Sequence, residues 1–342
     1  MTVLVFAPNW LGDAVMALPA VADLRRHAGA GRLVVAARPS VVELFHVVPG
    51  VDEVVMVAGS GGLALLANLG TNVRAVQQAE ADVAVLLPNS LQTAVVARRA
   101  GIPERWGYRR NLRGWLLSRA VPRPRAAVHQ VDHYRQLVAA LGIENGPRMP
   151  RLEAPGDAVE AARRMLAESG WTPGTRLVGI APGAAYGGAK RWLPDRFARV
   201  IAGLAQSRGT AAVLVGSEAD GPAAWAIEAE LDKIGRTGGR PATINLVGRT
   251  DLPQLMGVLA LCAAFVSNDS GAMHLAAALG VPVVALFGPT DDRATAPVAA
   301  RARVLTSAVW CRPCMLRECP LDHRCMTGID ADTVIRAAGE TL

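Results

Sequence analysis

The chain has 342 residues, 51% of them apolar and only 4% aromatic, which is enough for two α/β domains with cores filled by Ala, Val and Leu. No run of about 18 apolar residues escapes a charge or a turn signal, which excludes a membrane-spanning helix. The opening Thr2-Val-Leu-Val-Phe6 lacks a basic lead and a cleavage site, so it reads as a first strand of a cytoplasmic protein rather than a signal peptide.

The net charge of +7 is unevenly placed: residues 1–150 carry 16 Arg against 10 acids, whereas residues 151–342 carry 20 basic and 19 acidic residues. Segment 98–125 alone holds nine Arg against Glu104, with Trp106, Tyr108 and Trp115 between them. Such a run is either a solvated basic face or a docking face for a polyanion: anionic lipid, a phosphorylated glycolipid or nucleic acid.

In chain order, apolar runs at 2–6, 33–36, 53–56 and 82–86 alternate with helical periodicity at 14–27, 41–47, 63–78 and 91–100. Strands spaced by helices predict a parallel sheet covered on both faces. A further helix is expected over 129–141. Residues 145–155, with Gly146, Pro147, Pro150 and Pro155, read as a linker dividing the chain into domains 1–150 and 151–342.

The pattern then restarts. A helix is expected at 158–169, then a strand at 177–181 that runs into the small-residue loop 182–189. A helix at 195–207, entered through Pro194, precedes a strand at 211–215 ending in Gly216-Ser217-Glu218. A strand at 243–246 and a helix at 252–261 follow, and Lys233 falls on a surface helix before them. The apolar run 263–266 ends in Ser267-Asn268-Asp269-Ser270-Gly271. A short helix, 272–279, is stopped by Gly280 and Pro282, and a second apolar run, 283–287, ends in Gly288-Pro289-Thr290. This is a parallel βαβ unit with two loops at one sheet edge. Small residues before its helix leave N–H groups free for phosphate or another anion. A cysteine-rich segment, 311–325, and a terminal helix complete the chain. The fold class is α/β: two doubly wound domains with loops at the strand ends and a cleft between them.

Several residues could carry chemistry. Asp13, near the start of the first helix, is either an N-cap or a carboxylate able to act as general base. Lys190 and Lys233 are the only lysines. Lys190 is either a solvent-facing cation or a point charge reaching a diphosphate, with Gly183, Gly187 and Gly188 allowing close backbone approach. Glu218 could take ribose hydroxyls or start the next helix. His274 is either a satisfied, partly buried histidine or a ligand-facing one, with Asp269 and Ser270 nearby. Cys311, Cys314, Cys319 and Cys325 suggest a structural zinc site, with His323 as alternative ligand, or a loop of free thiols. The chain has no Gly-Lys-Ser/Thr phosphate loop and no G-x-G-x-x-G after its first strand, which weighs against a dinucleotide oxidoreductase.

Together these residues resemble the ADP-heptose:lipopolysaccharide heptosyltransferases, glycosyltransferase family 9. The likeness rests on Asn9-Trp-Leu-Gly-Asp-Ala-Val-Met-Ala-Leu-Pro19, His129-Gln-Val-Asp-His-Tyr134, Ala181-Pro-Gly-Ala184 with Lys190-Arg-Trp192, and Asn268-Asp-Ser-Gly-Ala-Met-His274 followed by Phe287-Gly-Pro-Thr290. The form Asn9-Trp-Leu-Gly-Asp13 and the tail Cys311-Arg-Pro-Cys-Met-Leu-Arg-Glu-Cys319 are similar to the branch that adds the second inner-core heptose. The resemblance implies a GT-B fold, two Rossmann-like domains with the acceptor on 1–150 and the nucleotide-sugar on 151–342, and inverting transfer with no obligatory metal. It implies Asp13 as general base and Lys190 as the cation on the leaving diphosphate. Asp269 would hold heptose hydroxyls, and Ser270, Gly271 and His274 the diphosphate side. Asn9, Gly12 and Thr250 would contact substrate, and Gly183, Gly216 and Ser217 the nucleotide. The donor would be ADP-heptose and the acceptor heptosyl-Kdo2-lipid A at the inner face of the inner membrane, with Arg109, Arg110 and Arg113 on its phosphates. No helix-turn-helix, RNA-binding or zinc-finger pattern points to nucleic acid. The rivals are a relative with another acceptor or sugar, as in the first- and third-heptose enzymes, and a non-catalytic nucleotide-sugar binding protein.

Overall fold

In the computed structural model, which describes residues 1–59 and 64–342, the chain divides into two compact units, Met1–Pro150 and Arg151–Leu342. The first unit runs β1 (Thr2–Phe6), α1 (Leu11–Ala28), β2 (Arg32–Ala37), α2 (Val42–His46), β3 (Glu53–Met56), α3 (Ala64–Gln77), β4 (Val83–Leu86), α4 (Leu91–Arg99), β5 (Glu104–Tyr108), β6 (Arg119–Val121) and α5 (Gln130–Ala140). The second runs α6 (Gly156–Glu168), β7 (Leu177–Ala181), α7 (Pro194–Arg208), β8 (Ala211–Leu214), α8 (Gly221–Gly238), β9 (Thr243–Asn245), α9 (Leu252–Ala260), β10 (Cys262–Asn268), α10 (Gly271–Ala278), β11 (Val283–Phe287), α11 (Asp292–Thr295), β12 (Ala302–Thr306), α12 (Arg324–Thr327) and α13 (Ala331–Gly339). Leu63, expected to open the third helix, lies outside the described residues.

Each unit holds a six-stranded parallel sheet, ordered β3-β2-β1-β4-β5-β6 in the first and β9-β8-β7-β10-β11-β12 in the second. The two orders are the same. Each sheet begins at a central strand, grows outward on one side, and returns to grow on the other. The chain direction therefore switches between β1 and β4, and again between β7 and β10, and loops at the carboxyl ends of those strands diverge to leave a crevice.

The central strands are buried throughout their interior, as continuous Val, Leu and Ile runs require when helices cover both faces. Val3 stands opposite Leu33 on one side and Val83 on the other. Ser267 of β10 pairs with Ala181 of β7 and with Ala285 of β11. In the second unit Phe197, Ile201 and Leu204 of α7 and Val334 of α13 pack with Val178, Ile180 and Leu286 of the sheet. In the first, Val76 of α3 and Val96 of α4 pack with Leu4, Phe6 and Leu86. Each such side chain contributes about 1.5–3 kcal/mol on burial, so the strand ends are fixed points from which the loops depart.

Three departures from the sequence reading matter. Helix α1 begins at Leu11, and its N-cap position is Trp10, which makes no side-chain cap. Asp13 is therefore in the first helical turn and is not the cap. The arginine-rich segment is not a free-standing basic stretch, because it contributes β5 and β6 to the sheet. Charges at the start of β5 and the exposed, three-residue β6 hide the strand pattern. Strand β12 is likewise a regular element that the sequence reading lacks, whereas α8 is the surface helix expected at Lys233, whose exposed ammonium bonds Glu230 at 2.7 Å. Among the described residues no helix is long and apolar enough to cross a membrane.

Candidate active site

The loops after β7 and β10 leave adjacent strands at the second switch point, and their side chains meet there. Lys190 Nζ lies 2.5 Å from Asp269 Oδ2, and the same oxygen accepts the Thr290 hydroxyl at 2.7 Å. Both members of the pair are nearly buried, with side-chain exposures of 12% and 7%. At that depth an unpaired charge is costly, so each holds the other in place. The ammonium also lies 4.8 Å from the centre of the Tyr186 ring, a cation–π contact. Lys190, Asp269 and Thr290 thus come from three loops of one sheet edge. Sequence alone assigns Lys190 and Asp269 separate ligands; the structure makes them one ion pair.

Asn268, to which the sequence reading assigns no role, fixes both ends of the Lys190 loop. Its Nδ2 donates to Pro182 O at 2.7 Å, and its Oδ1 accepts the Trp192 N–H at 3.1 Å. The available signal was an amide at the end of an otherwise apolar strand. Ser270 caps α10, accepting from Met273 N at 3.3 Å and sharing a hydrogen bond with Ser267 Oγ at 2.9 Å. Gly271 is the first residue of α10, so its N–H is among those left without an intrahelical acceptor. His274 is buried one turn further along. A helix start of this kind, beside a paired lysine, suits a diphosphate.

Gly183, Gly216 and Ser217 converge on Asp220, another residue the sequence reading misses. A Cβ on Gly183 would stand 2.1 Å from the Asp220 carboxyl carbon, and one on Gly216 would stand 3.0 Å from its Oδ2. Ser217 donates to that carboxylate from its backbone N at 3.0 Å and its hydroxyl at 2.8 Å. Gly183 is needed for the approach of this carboxylate and Gly216 leaves it little room, so the loops after β7 and β8 are tied together through it. Glu218 is exposed beside them. Gly248 N donates to Gly216 O at 2.9 Å, which draws the loop carrying Thr250 to the same edge. Half-buried Thr250 precedes Asp251, the cap of α9.

The cysteine-rich segment lies against this centre. Its four cysteines are unbridged, and Cys325 is buried while Cys314 is exposed. Burial first, and then the neighbouring thiols of Cys311, Cys319 and Cys314, push the Cys325 thiol up. Among the described residues, no three His, Cys, Asp or Glu side chains converge as metal ligands. His323 is committed elsewhere, with Nε2 2.6 Å from Ala189 O.

In the first unit Asp13 is half-buried on α1, at the carboxyl edge of the sheet beside β1. Burial, and after it the Asp13 charge, holds the phenol of Tyr134 well above its ordinary range, which places Asp13 close to the buried Tyr134 of α5. Gly12 precedes Asp13 in the same turn, and Asn9 lines a hollow with Arg38, Asn72, Ser90, Gln92 and Thr93. Gln92 Nε2 is buried there with no acceptor among the described protein groups.

The basic segment splits into two sets. Arg109 and Arg110 are exposed, with Leu112 and Trp115 exposed beside them at 87% and 79%. Arg113 does not belong to that surface. It is fully buried, donating to Tyr108 O at 3.1 Å, to Ser90 O at 3.3 Å, to Asn89 Oδ1 at 3.2 Å and to Pro88 O. Burial pushes its guanidinium down to about 10. Five donors in a rigid fork let one arginine satisfy several loop carbonyls at once, so Arg113 braces the loop before α4. Arg105 is buried likewise, on Leu116 O at 2.7 Å and Ile102 O at 2.5 Å. Trp106 and Tyr108 also turn inward.

The chain thus holds two doubly wound sheets of one strand order, with a lysine–carboxylate pair at the second switch point. The model of "Glycosyltransferase family 9 (heptosyltransferase)" matches residues 71–324. The chain belongs to glycosyltransferase family 9. A lipopolysaccharide heptosyltransferase 2 of Salmonella typhimurium is 33% identical over 313 residues, covering 89% of this chain and 88% of its own. The solved structure of the E. coli ADP-heptose lps heptosyltransferase II superposes with a TM-score of 0.83 at 28% identity, covering 100% of this chain and 98% of its own. A family 9 glycosyl transferase from Veillonella parvula superposes at 0.84 with 22% identity, covering 99% and 96%, and shows the shared fold. The chain is thus a glycosyltransferase with the GT-B fold of this family, and the α/β, doubly wound expectation holds for both units.

Proposed function

We propose that this family 9 enzyme transfers L-glycero-D-manno-heptose from ADP-heptose to heptosyl-Kdo2-lipid A, with inversion, in synthesis of the lipopolysaccharide inner core. The observation that carries the reading is the near-buried Lys190–Asp269 pair beside the start of α10, within a chain 33% identical to a lipopolysaccharide heptosyltransferase 2. Nucleotide-sugar would bind the second unit and acceptor the first.

In this scheme the Asp13 carboxylate takes the proton of the acceptor hydroxyl, whose oxygen attacks the anomeric carbon as the bond to ADP breaks. The negative charge that develops on the diphosphate falls to Lys190 and the first N–H groups of α10. Asp269 keeps Lys190 at its station through Oδ2 and offers Oδ1 to heptose hydroxyls. Ser270 and His274 flank the diphosphate, while Gly183, Gly216, Ser217 and Thr250 border the nucleotide. Asn9 and Gly12 border the acceptor. No step is routed through a metal. Arg109 and Arg110, with Trp115 and Leu112, would rest on the anionic cytoplasmic face of the inner membrane, where exposed arginines and an interfacial aromatic both gain.

The test is mass spectrometry of products formed from ADP-heptose and a panel of truncated lipopolysaccharides. Addition of one heptose to heptosyl-Kdo2-lipid A is expected. Transfer to Kdo2-lipid A alone would make this a first-heptose enzyme, and binding of ADP-heptose without turnover on any acceptor would make it a nucleotide-sugar binding protein.

A further inference from the structure

The composition of segment 311–325 invites a metal-site reading, yet its contacts lead to Lys190. The loop that carries Lys190 meets the segment at four places. Tyr186, whose ring lies under the ammonium, donates its hydroxyl to Met315 O at 2.8 Å. Gly188 N donates to Glu318 Oε1 at 3.0 Å. Ala189 N donates to Arg317 O at 2.9 Å. His323 Nε2 lies 2.6 Å from Ala189 O, and since a carbonyl only accepts, the ring proton is on Nε2. The backbone groups of Ala189, next to Lys190, are thus held from both sides.

The same segment holds the loop that supplies Thr290. Met315 N donates to Pro289 O at 2.9 Å, Arg312 Nε donates to Gly288 O at 2.9 Å, and its guanidinium reaches Asp292 at 2.5 Å. Two loops that contribute to the Lys190–Asp269–Thr290 cluster are therefore tied to one another through residues 312–323.

Backbone conformation supports a cost accepted for this purpose. Met315 and His323 are the segment's two non-glycine residues with left-handed φ, at 57° and 59°. Such residues persist where surrounding contacts over-determine them. Both reach the Lys190 loop. Gly187 answers from the other side: a Cβ there would stand 2.3 Å from Arg317 O, a backbone atom with little room to yield.

We propose that the cysteine-rich segment is a strap that positions Lys190 for the transition state, with Glu318 and His323 as its side-chain contacts. This rests on the reading of Lys190 as the cation on the leaving diphosphate. The strap fixes the loop backbone on either side of the lysine; Asp269 fixes its ammonium. Neither alone sets the position to a fraction of an ångström, and a misplacement of about 1 Å can cost a hundredfold in rate.

The experiment measures kcat and KM on the full chain with ADP-heptose and heptosyl-Kdo2-lipid A, for wild type, His323→Ala/Glu318→Ala, His323→Gln/Glu318→Gln, Gly187→Ala and Lys190→Ala. Circular dichroism and thermal melts confirm that each variant is folded. The Ala pair should lower kcat about tenfold, part of the hundredfold that misplacement can cost, with KM for the acceptor unchanged. The Gln pair should recover most of it. A glutamine amide in place of His323 can donate to Ala189 O, and one in place of Glu318 still accepts from Gly188 N. Gly187→Ala should resemble the Ala pair. Placed in the Lys190→Ala background, the Ala pair should cost nothing further, because what it positions is gone. An equal loss in both backgrounds would overturn the strap and leave a general structural role. Wild-type kcat in the Ala pair, with Lys190→Ala crippled, would overturn the strap alone. Wild-type kcat in Lys190→Ala would overturn the assigned role of Lys190 and the strap with it.

Discussion

The two units share one strand order and treat charge in opposite ways. In the second unit the charges that matter are few and turned toward one another: Lys190 and Asp269 pair at 2.5 Å, nearly buried, with Thr290 on the same oxygen. In the first unit charge is abundant and divided. Arg105 and Arg113 turn inward onto carbonyls, Arg109 and Arg110 face out, and Asp13 stands on the first turn of α1. The scaffold does not decide this. The residues carried at and beyond the strand ends do, which is how one doubly wound fold can present a nearly buried ion pair in one unit and an exposed basic face in the other.

The largest effect should come from the first-turn carboxylate of α1. Asp13→Asn should lower kcat by roughly two to four orders of magnitude, the range for a lost general base. The fold should survive, because Trp10 and not Asp13 occupies the cap position. Quenched-flow measurement of a single turnover isolates the chemical step; near-normal rates there would leave Asp13 as a first-turn acid interacting with the helix dipole and nothing more.

The second unit should respond as a pair. Lys190→Ala should lower kcat by about two orders of magnitude, as loss of a preorganised transition-state donor does. Asp269→Ala should cost nearly as much, since it removes a contact to the sugar and also releases the lysine. Because the two groups share one ion pair, the double variant should be little worse than either single one. Additive losses in this cycle would mean that they act on separate ligands, as the sequence alone suggested.

That suggestion shows where sequence reading stopped. Periodicity located nearly every central strand, because β1, β4, β7, β10 and β11 are continuous apolar runs buried on both faces. Small-residue turns at 182–189 and 267–271 marked the loops that carry the site. Invisible were the contacts between loops distant in sequence: Lys190 with Asp269, Asn268 with Pro182 and Trp192, and Asp220 with Gly183. Strand register alone brings these together. Charge was the least legible property, since nothing local separates buried Arg113 from exposed Arg110. Only the carbonyls of Tyr108, Pro88 and Ser90, gathered by the fold, draw Arg113 inward.

Arg113 therefore sharpens the comparison through stability. Arg113→Leu removes the guanidinium from Tyr108 O and Pro88 O, while Ser90 O keeps the Thr93 hydroxyl at 2.9 Å; each buried unsatisfied group costs about 1–3 kcal/mol, so the variant should lose a few kcal/mol in a denaturant titration. The loop before α4 should loosen with it. Hydrogen exchange confined to that loop and to β5 is the expected signature. An unchanged midpoint would return Arg113 to the solvent-facing set.

The smallest effect concerns the outer face of the same segment. Each arginine near an anionic surface contributes roughly 1 kcal/mol, so Arg109→Gln/Arg110→Gln should weaken binding to anionic vesicles about thirtyfold at low salt. The loss should shrink at physiological ionic strength, where exposed charges are screened beyond about 8 Å. Trp115→Ala should behave differently. Its ring is 79% exposed, and an aromatic that enters the lipid interface contributes by apolar burial, which salt does not screen. Its loss should be modest and nearly constant with salt. Affinity for ADP-heptose should be unchanged in both variants, because that ligand is assigned to the other unit. If both variants keep wild-type vesicle binding at low salt, the outward half of the basic segment is a solvated surface, and the proposed acceptor contacts of the first unit fall back on Asp13 and the hollow around Asn9 and Gln92.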